Sequence, residues 1–364
     1  MKVLFFHSNH PDYLGDGLFH GLRTLLGKNC VDIPRYDSMY APLSDKMRSK
    51  LRGNGFSLYG LLPEIPELAD ERYFWRKDLD SYDLIIVSNL GNLWSLFWEL
   101  STLVEPEKLV ILDGEDSPAF FPYISMKWRL QNYPWTYLTP VGKHKYFKRE
   151  LIGAGASYGL DRFLPYLIRR RISLPKNAYP LGFSIPLEKI TKIKPEAKIK
   201  DFPTHIVDEE VAKEVDKSFF SAIGSDKHLF TTEKDYYEDL QKSRFGITTK
   251  RAGWDCLRHY ELAANGCVLC FRYLDFKPET CAPHGLDESN CIVYHSYGEL
   301  RRKIANLTEK EYARLQTATY DWVQENSTVA CAKNFLKVCL PGFHISSNCN
   351  NSHEHVSSIK NCSN

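Results

Sequence analysis

The chain has little excess charge of either sign. Its 47 Lys and Arg against 45 Asp and Glu leave a formal net charge of +2 over 364 residues. Near balance gives bulk electrostatics no hold on nucleic acid, so each local basic cluster has to be weighed alone. No apolar stretch approaches the roughly 20 residues of a membrane span. The opening MKVLFFHSNH reads as a strand, because its apolar run is too short for a signal peptide and no small-residue cleavage site follows. The expectation is a cytoplasmic chain with reduced thiols and at most peripheral membrane contact. On that expectation the sequons at Asn306, Asn326, Asn350 and Asn361 are accidental. No G-x-G-x-x-G follows the first strand, which argues against a dinucleotide-dependent oxidoreductase. No repeat at solenoid periods is visible.

Hydrophobic content is 43% and charged content 25%, ordinary for a soluble globular protein, and the length suits about two domains. Aromatic content, at 13%, is on the high side. Trp128, Tyr133, Trp135 and Tyr137 fall near expected loops, where aromatic faces serve either packing or the stacking of sugars and bases. Of ten cysteines, Cys267 and Cys270 have C-x-x-C spacing but sit in an apolar run. Neither a helix N-terminus nor a second knuckle accompanies them, so they read as buried small hydrophobes. The tail after Leu340 is rich in Asn, Ser, His and Cys and reads as disordered. Its His344, His353, His355, Cys349 and Cys362 match no zinc module.

Along the chain, strands alternate with helices. Lys2–Phe6, Val31–Ile33, Asp83–Ser88 and Lys108–Leu112 read as buried strands, with a further candidate at Trp135–Val141. Gly15–Leu26 and Leu93–Leu103 read as helices. This order predicts a mostly parallel, doubly wound α/β sheet. Residues 178–202, with two prolines, a glycine and then a lysine-rich stretch, read as a connection. A second α/β unit follows over 203–340, and 341–364 form the tail. In that unit Phe245–Thr249, Val268–Phe271 and Asn290–Tyr294 read as strands. Helices are expected over Asp255–Asn265, from Tyr297 to Asn306, and from Thr308 to Val338 with a break near Ser327. Asn265-Gly266 supplies a helix stop.

The segment FGITTKRAGWDCLRHYELAANGCVLCF, Phe245–Phe271, carries the chemistry. A strand leads into a loop with Lys250, Arg251 and Gly253, then a helix with Arg258 and Glu261 on one face. Arginine grips two phosphate oxygens at once, lysine acts as a point charge, and a helix N-terminus adds amides. A carboxylate one turn further on accepts from vicinal ribose hydroxyls. The alternative is a solvated helix face with an Arg258–Glu261 pair. The clustering at one strand-to-helix junction, where doubly wound sheets bind ligands, favours a nucleotide-diphosphate site.

RHYELAANGCVLC resembles the donor-site helix of two-domain GT-B glycosyltransferases of the family 1 kind. The Arg258-x-x-Glu261 form also resembles their spore-maturation-type and exostosin-like branches. The likeness covers about 30 residues closely and the rest only in architecture. It implies two Rossmann-like domains facing a cleft and transfer of a sugar from a nucleotide-diphosphate sugar to a glycan, a lipid-linked sugar or another hydroxyl acceptor. It also implies a role in polysaccharide biosynthesis. It assigns Glu261 to the donor ribose and Lys250 and Arg251, with Arg258, to the diphosphate. Retaining members often carry a second Glu eight positions earlier, where this chain has Gly253. That departure leaves the stereochemistry open and motivates the rival reading of an inactive nucleotide- or glycan-binding module.

The first half is then expected to hold the acceptor and a base. His10, Asp12 and Asp16 follow the first strand, and Asp113, Glu115 and Asp116 follow the third apolar one. His10, Asp12, Asp113 and Glu115 are the candidate catalytic groups. Gly15 and Gly17 serve either ligand approach or a turn. Lys143, Lys145, Lys148 and Arg149 read as a solvated helix face, or as cations closing over the diphosphate. The cluster Arg169–Arg171 is weak evidence for an anionic partner. Asp78-Leu79-Asp80 has the letters of a metal-binding Asp-x-Asp motif but precedes a strand, the wrong edge for a cleft. The expectation is no cofactor and no required metal.

Overall fold

The computed structural model describes residues 1–8, 10–122, 138–152, 164–169, 174–219 and 229–342. The aromatic group Trp128 to Tyr137, the cations Arg170 and Arg171 with the side chain of Arg169, and the His- and Cys-bearing tail lie outside the described residues.

Six strands form the first sheet: β1 (Val3–Phe6), β2 (Cys30–Ile33), β3 (Leu84–Ser88), β4 (Leu109–Asp113), β5 (Lys145–Lys148) and β6 (Ala178–Pro180). Their order is β2-β1-β3-β4-β5-β6, parallel throughout. The runs VLFF, LIIVS and LVILD are buried on every residue, as expected of strands covered on both faces. Strand order reverses between β1 and β3, which opens a crevice at the carboxyl ends of the strands. The first helix, Tyr13–Leu26, leaves β1 there, capped by Asp12.

The second unit is smaller. Two short strands, β7 (His205–Ile206) and β8 (Ser218–Phe219), pair with each other. The central sheet is parallel, in the order β11-β10-β9, from β9 (Phe245–Thr249), β10 (Val268–Arg272) and β11 (Cys291–Tyr294). The helix Leu257–Ala264 joins β9 to β10 and ends at Asn265 and Gly266, whose φ is 73°. The break near Ser327 is real: Glu309–Glu325 and Thr328–Cys339 are separate helices, the second capped by the Ser327 hydroxyl.

That last helix returns to the first domain and packs along the first helix. The approach is so close at Gly21 that a Cβ would overlap the Thr328 carbonyl. One apolar cluster therefore runs through both units, from Phe5, Leu22 and Phe147 through Phe335 and Tyr260 to Leu269 and Trp322. Separate clusters fill the outer face of each sheet.

Two local expectations fail. The strand near Trp135–Val141 is replaced by β5, further on, after a 3₁₀ turn at Val141–Lys143; residues 135–137 lie outside the described residues. The basic run was expected on a helix face, but Lys148 and Arg149 are buried at the end of a strand. The Lys148 charge is matched by a carboxylate distant in sequence, its Nζ donating to Asp113 at 2.8 Å.

Candidate active site

A cleft of about 750 Å³ opens where the strand ends of the two sheets face each other. The first domain lines it with Asp12, Tyr13, the segment Ser49–Asn54, Asn89 and Asp113–Asp116. The second lines it with Arg251, Gly253, Asp255, Cys256, Arg258 and Glu261. Of the residues singled out from the sequence, Lys250 and His10 are exposed and do not line the cleft. Lys250 instead places Nζ 5.2 Å from the centre of the Trp254 ring. Gly15 and Gly17 lie inside the first helix, where they admit protein neighbours: a Cβ would meet Ser88 Cβ at 3.0 Å and Ser184 Oγ at 2.8 Å respectively.

Glu261 sits one turn into the helix and is 8% exposed. Its Oε1 accepts from Ser57 Oγ at 2.5 Å and its Oε2 from Tyr236 OH at 2.7 Å. Burial pushes its carboxyl up, against the lowering effect of those two bonds and of Arg258. Each oxygen keeps acceptor capacity, since a carboxylate offers about four lone-pair sites. Arg258 is half-buried, its guanidinium 5.8 Å from the centre of the Tyr236 ring. Arg251 is half-buried as well; burial lowers its pKa, and repulsion from Arg258 and Arg52 adds to that.

Gly253 has a packing reason. A Cβ there would overlap Glu150 Oε1, which accepts from the amides of Trp254 and Asp255 at 2.9 and 3.3 Å. A first-domain carboxylate thus fills the space beside the glycine. Arg149 completes this joint. It donates to the Asp255 carbonyl at 2.7 Å, to Glu150 at 3.0 Å, to the Gly114 carbonyl at 3.1 Å and to Asp116. Sequence reasoning missed Glu150 and left Arg149 in a basic run, because the Trp254 and Asp255 backbone groups they meet lie 104 to 106 positions away.

On the first-domain wall, Asp113 is bonded through both oxygens. Its Oδ2 accepts from Tyr146 OH at 2.6 Å and from Lys148, and its Oδ1 from the Glu115 amide at 3.1 Å. Asp113 therefore shapes the loop, while Glu115 is exposed at the cleft edge. Asp12 differs. One oxygen caps the helix, accepting from the Leu14 amide at 3.1 Å, and Oδ2 is buried with no hydrogen-bond partner among the described residues. Gly114 makes room for it, since a Cβ would meet Asp12 Oδ1 at 2.5 Å. Burial and the neighbouring Asp16 push the Asp12 carboxyl up to about 7. Asp16 does not share this freedom: it accepts from Tyr59 OH at 2.6 Å and lies 3.6 Å from His7 Nδ1.

Asp78 and Asp80 lie in a 3₁₀ segment outside the cleft lining. Among the described residues no group of three His, Cys, Asp or Glu side chains is placed to hold a metal ion. No helix of the described residues is long and apolar enough to cross a membrane. The eight described cysteines are all free, Cys267 and Cys270 buried at β10.

No family model matches the chain, and no curated protein matches it in sequence. Among solved structures, the HepE protein of Anabaena in complex with UDP-glucose is similar at 10% identity and a TM-score of 0.49, over 93% of this chain and 99% of that one. Sucrose-phosphate synthase from Thermosynechococcus elongatus is similar at 11% identity and 0.49, over 93% and 98%. A glycosyltransferase from Rickettsia africae is similar at 10% identity and 0.48, over 94% and 99%. By its own topology, with two parallel sheets facing across a cleft and a final helix returned to the first domain, the chain has the GT-B architecture.

Proposed function

We propose that the chain is a glycosyltransferase that takes a sugar from a nucleotide-diphosphate donor and gives it to a hydroxyl acceptor. The observation that carries this reading is one cleft holding Arg251, Arg258 and Glu261 on one wall and Asp12 on the other. Glu261 accepts from the donor ribose. Arg251 and Arg258 hold the diphosphate and stabilise its growing charge as the bond from the sugar's anomeric carbon to the phosphate oxygen breaks. The Asp12 carboxylate takes the proton from the acceptor hydroxyl as that oxygen bonds to the anomeric carbon. The first-domain wall receives the acceptor, a glycan or a lipid-linked sugar, as in polysaccharide assembly in the cytoplasm. Cationic side chains and helix amides neutralise the diphosphate, so neither a metal nor another cofactor is called for.

The test is calorimetry of the purified chain against UDP-, GDP-, CMP- and dTDP-sugars. One class is expected to bind, and Glu261→Gln to weaken it roughly 10- to 100-fold, the range for losing charged hydrogen bonds. Unchanged binding would remove the ribose assignment. The rival reading, a nucleotide-binding module without catalysis, draws on Gly253, and binding without donor hydrolysis or transfer in EDTA or in added Mg²⁺ would favour it. The Gly253 argument for it weakens once Glu150 is seen to occupy that space.

A further inference from the structure

The segment Arg52–Ser57 belongs to the first domain yet reaches the second. It consists largely of left-handed backbone, with φ of 60° at Gly53, 56° at Asn54, 63° at Gly55 and 72° at Ser57. Left-handed residues other than glycine are uncommon and hold only where the surroundings over-determine them. Here two of its residues, Asn54 and Ser57, are tied to the other domain. Asn54 Nδ2 donates to the Phe230 carbonyl at 3.3 Å. The Ser57 amide donates to Glu233 at 2.5 Å, its hydroxyl donates to Glu261, and it accepts from Tyr237 OH at 2.6 Å. The strap is thereby pinned to the second domain along the cleft lining, and Arg52 is its first residue.

Arg52 is exposed, lines the cleft, and sits close enough to Arg251 to repel its charge. Among the described residues, no carboxylate is within ion-pair distance of the Arg52 or the Arg251 guanidinium. Arg258 adds a third guanidinium to the same cleft. Gathering like charges in a partly desolvated space costs energy unless an anion joins them. Arg251 comes from the second domain and Arg52 from the first, so an anion that satisfies both bridges the domains. We propose that Arg52 is a third diphosphate-binding residue, carried to the donor site by the first-domain strap. The proposal rests on the donor-site reading given above. It adds that the first domain contributes to donor affinity and that the strap couples diphosphate binding to the Ser57–Glu261 contact. Charge-assisted bonds from a planar guanidinium to phosphate oxygens are the chemistry that recognises such a ligand.

The experiment measures binding of inorganic pyrophosphate, which has no base or ribose, by calorimetry on the full chain. Arg52→Gln and Arg251→Gln are each expected to weaken it about tenfold, the effect of losing one charged contact. Lys28→Gln, the same charge change at an exposed position outside the cleft lining, is expected to change it less than twofold. Arg52→Gln should leave the melting temperature unchanged, since among the described residues Arg52 is bonded only through its backbone carbonyl, to Tyr13 OH at 3.1 Å. If Arg251→Gln weakens binding and Arg52→Gln does not, the Arg52 proposal is overturned and the donor site stands. If the wild-type chain binds neither pyrophosphate nor any nucleoside diphosphate, both fall. Equal loss from Lys28→Gln and Arg52→Gln would show a general field effect and would also overturn the proposal.

Discussion

A carboxylate at a helix N-terminus is ordinarily held ionised by the helix amides. Asp12 accepts from the Leu14 amide, yet burial and Asp16 win, and its carboxyl is pushed up to about 7. A group titrating there gives up and takes protons efficiently near neutrality. In the proposed mechanism Asp12 must be ionised to act, so kcat/KM is expected to rise with pH and level off above about 7. Asp12→Asn should lower kcat by roughly 10²- to 10⁴-fold, the usual share of a general base, and abolish that rise. A pH–rate profile of the two proteins checks both, and an unaltered profile in the variant would exclude Asp12 as the base. Asp12 was legible in the sequence as one of four candidates. The choice among them was not, because it depends on which oxygen is left unpartnered. Asp113 looks equivalent on paper but accepts from Tyr146, Lys148 and the Glu115 amide, with both oxygens bonded.

Strands buried on both faces appear as unbroken apolar runs, which is why VLFF, LIIVS and LVILD could be read directly. β5, KYFK, could not, because the lysine that closes it is buried against Asp113, 35 positions earlier. Periodicity holds no record of such a pair. The break near Ser327 was legible, but the caps show only in the structure: Thr308 and Ser327 each accept from an amide three residues on, as Thr and Ser at N-caps do. What those caps bring about is a matter of packing. They orient the final helix so that Gly21 of the first helix lies directly under Thr328. Gly21→Ala is expected to destabilise the protein by roughly 1–3 kcal/mol, the usual cost of overpacking, although alanine suits a helix interior better than glycine. Chemical denaturation of wild type and variant measures it, and a stabilised variant would contradict the close approach.

Across the whole molecule, the two domains share an apolar cluster and a charged joint at Arg149, Glu150 and Asp255. Asp255 in that joint is pushed up to about 6 by burial, against the lowering effect of Arg149. Asp255 and Asp12 both bind a proton more tightly folded than unfolded. The stability they contribute is full below the unfolded carboxylate value near 4 and is lost as pH rises through about 6 to 7. The difference in unfolding free energy between Asp12→Asn and wild type should therefore shift in favour of the variant by about 3–4 kcal/mol between pH 4 and pH 8. Denaturant titrations at the two pH values test this, and a pH-independent difference would show that the Asp12 carboxyl is not shifted. The sequence alone determined the alternation of strands and helices and a basic junction ending in Glu261, because those are local patterns of burial and charge. Only the tertiary structure decided that Lys250 faces away, that Glu150 fills the space beside Gly253, and that Ser57 meets Glu261 across 204 positions of chain. Such contacts are set by how two separately folded sheets dock. The docking depends on side-chain shape and hydrogen-bond geometry in three dimensions, which the order of residues along one segment does not display.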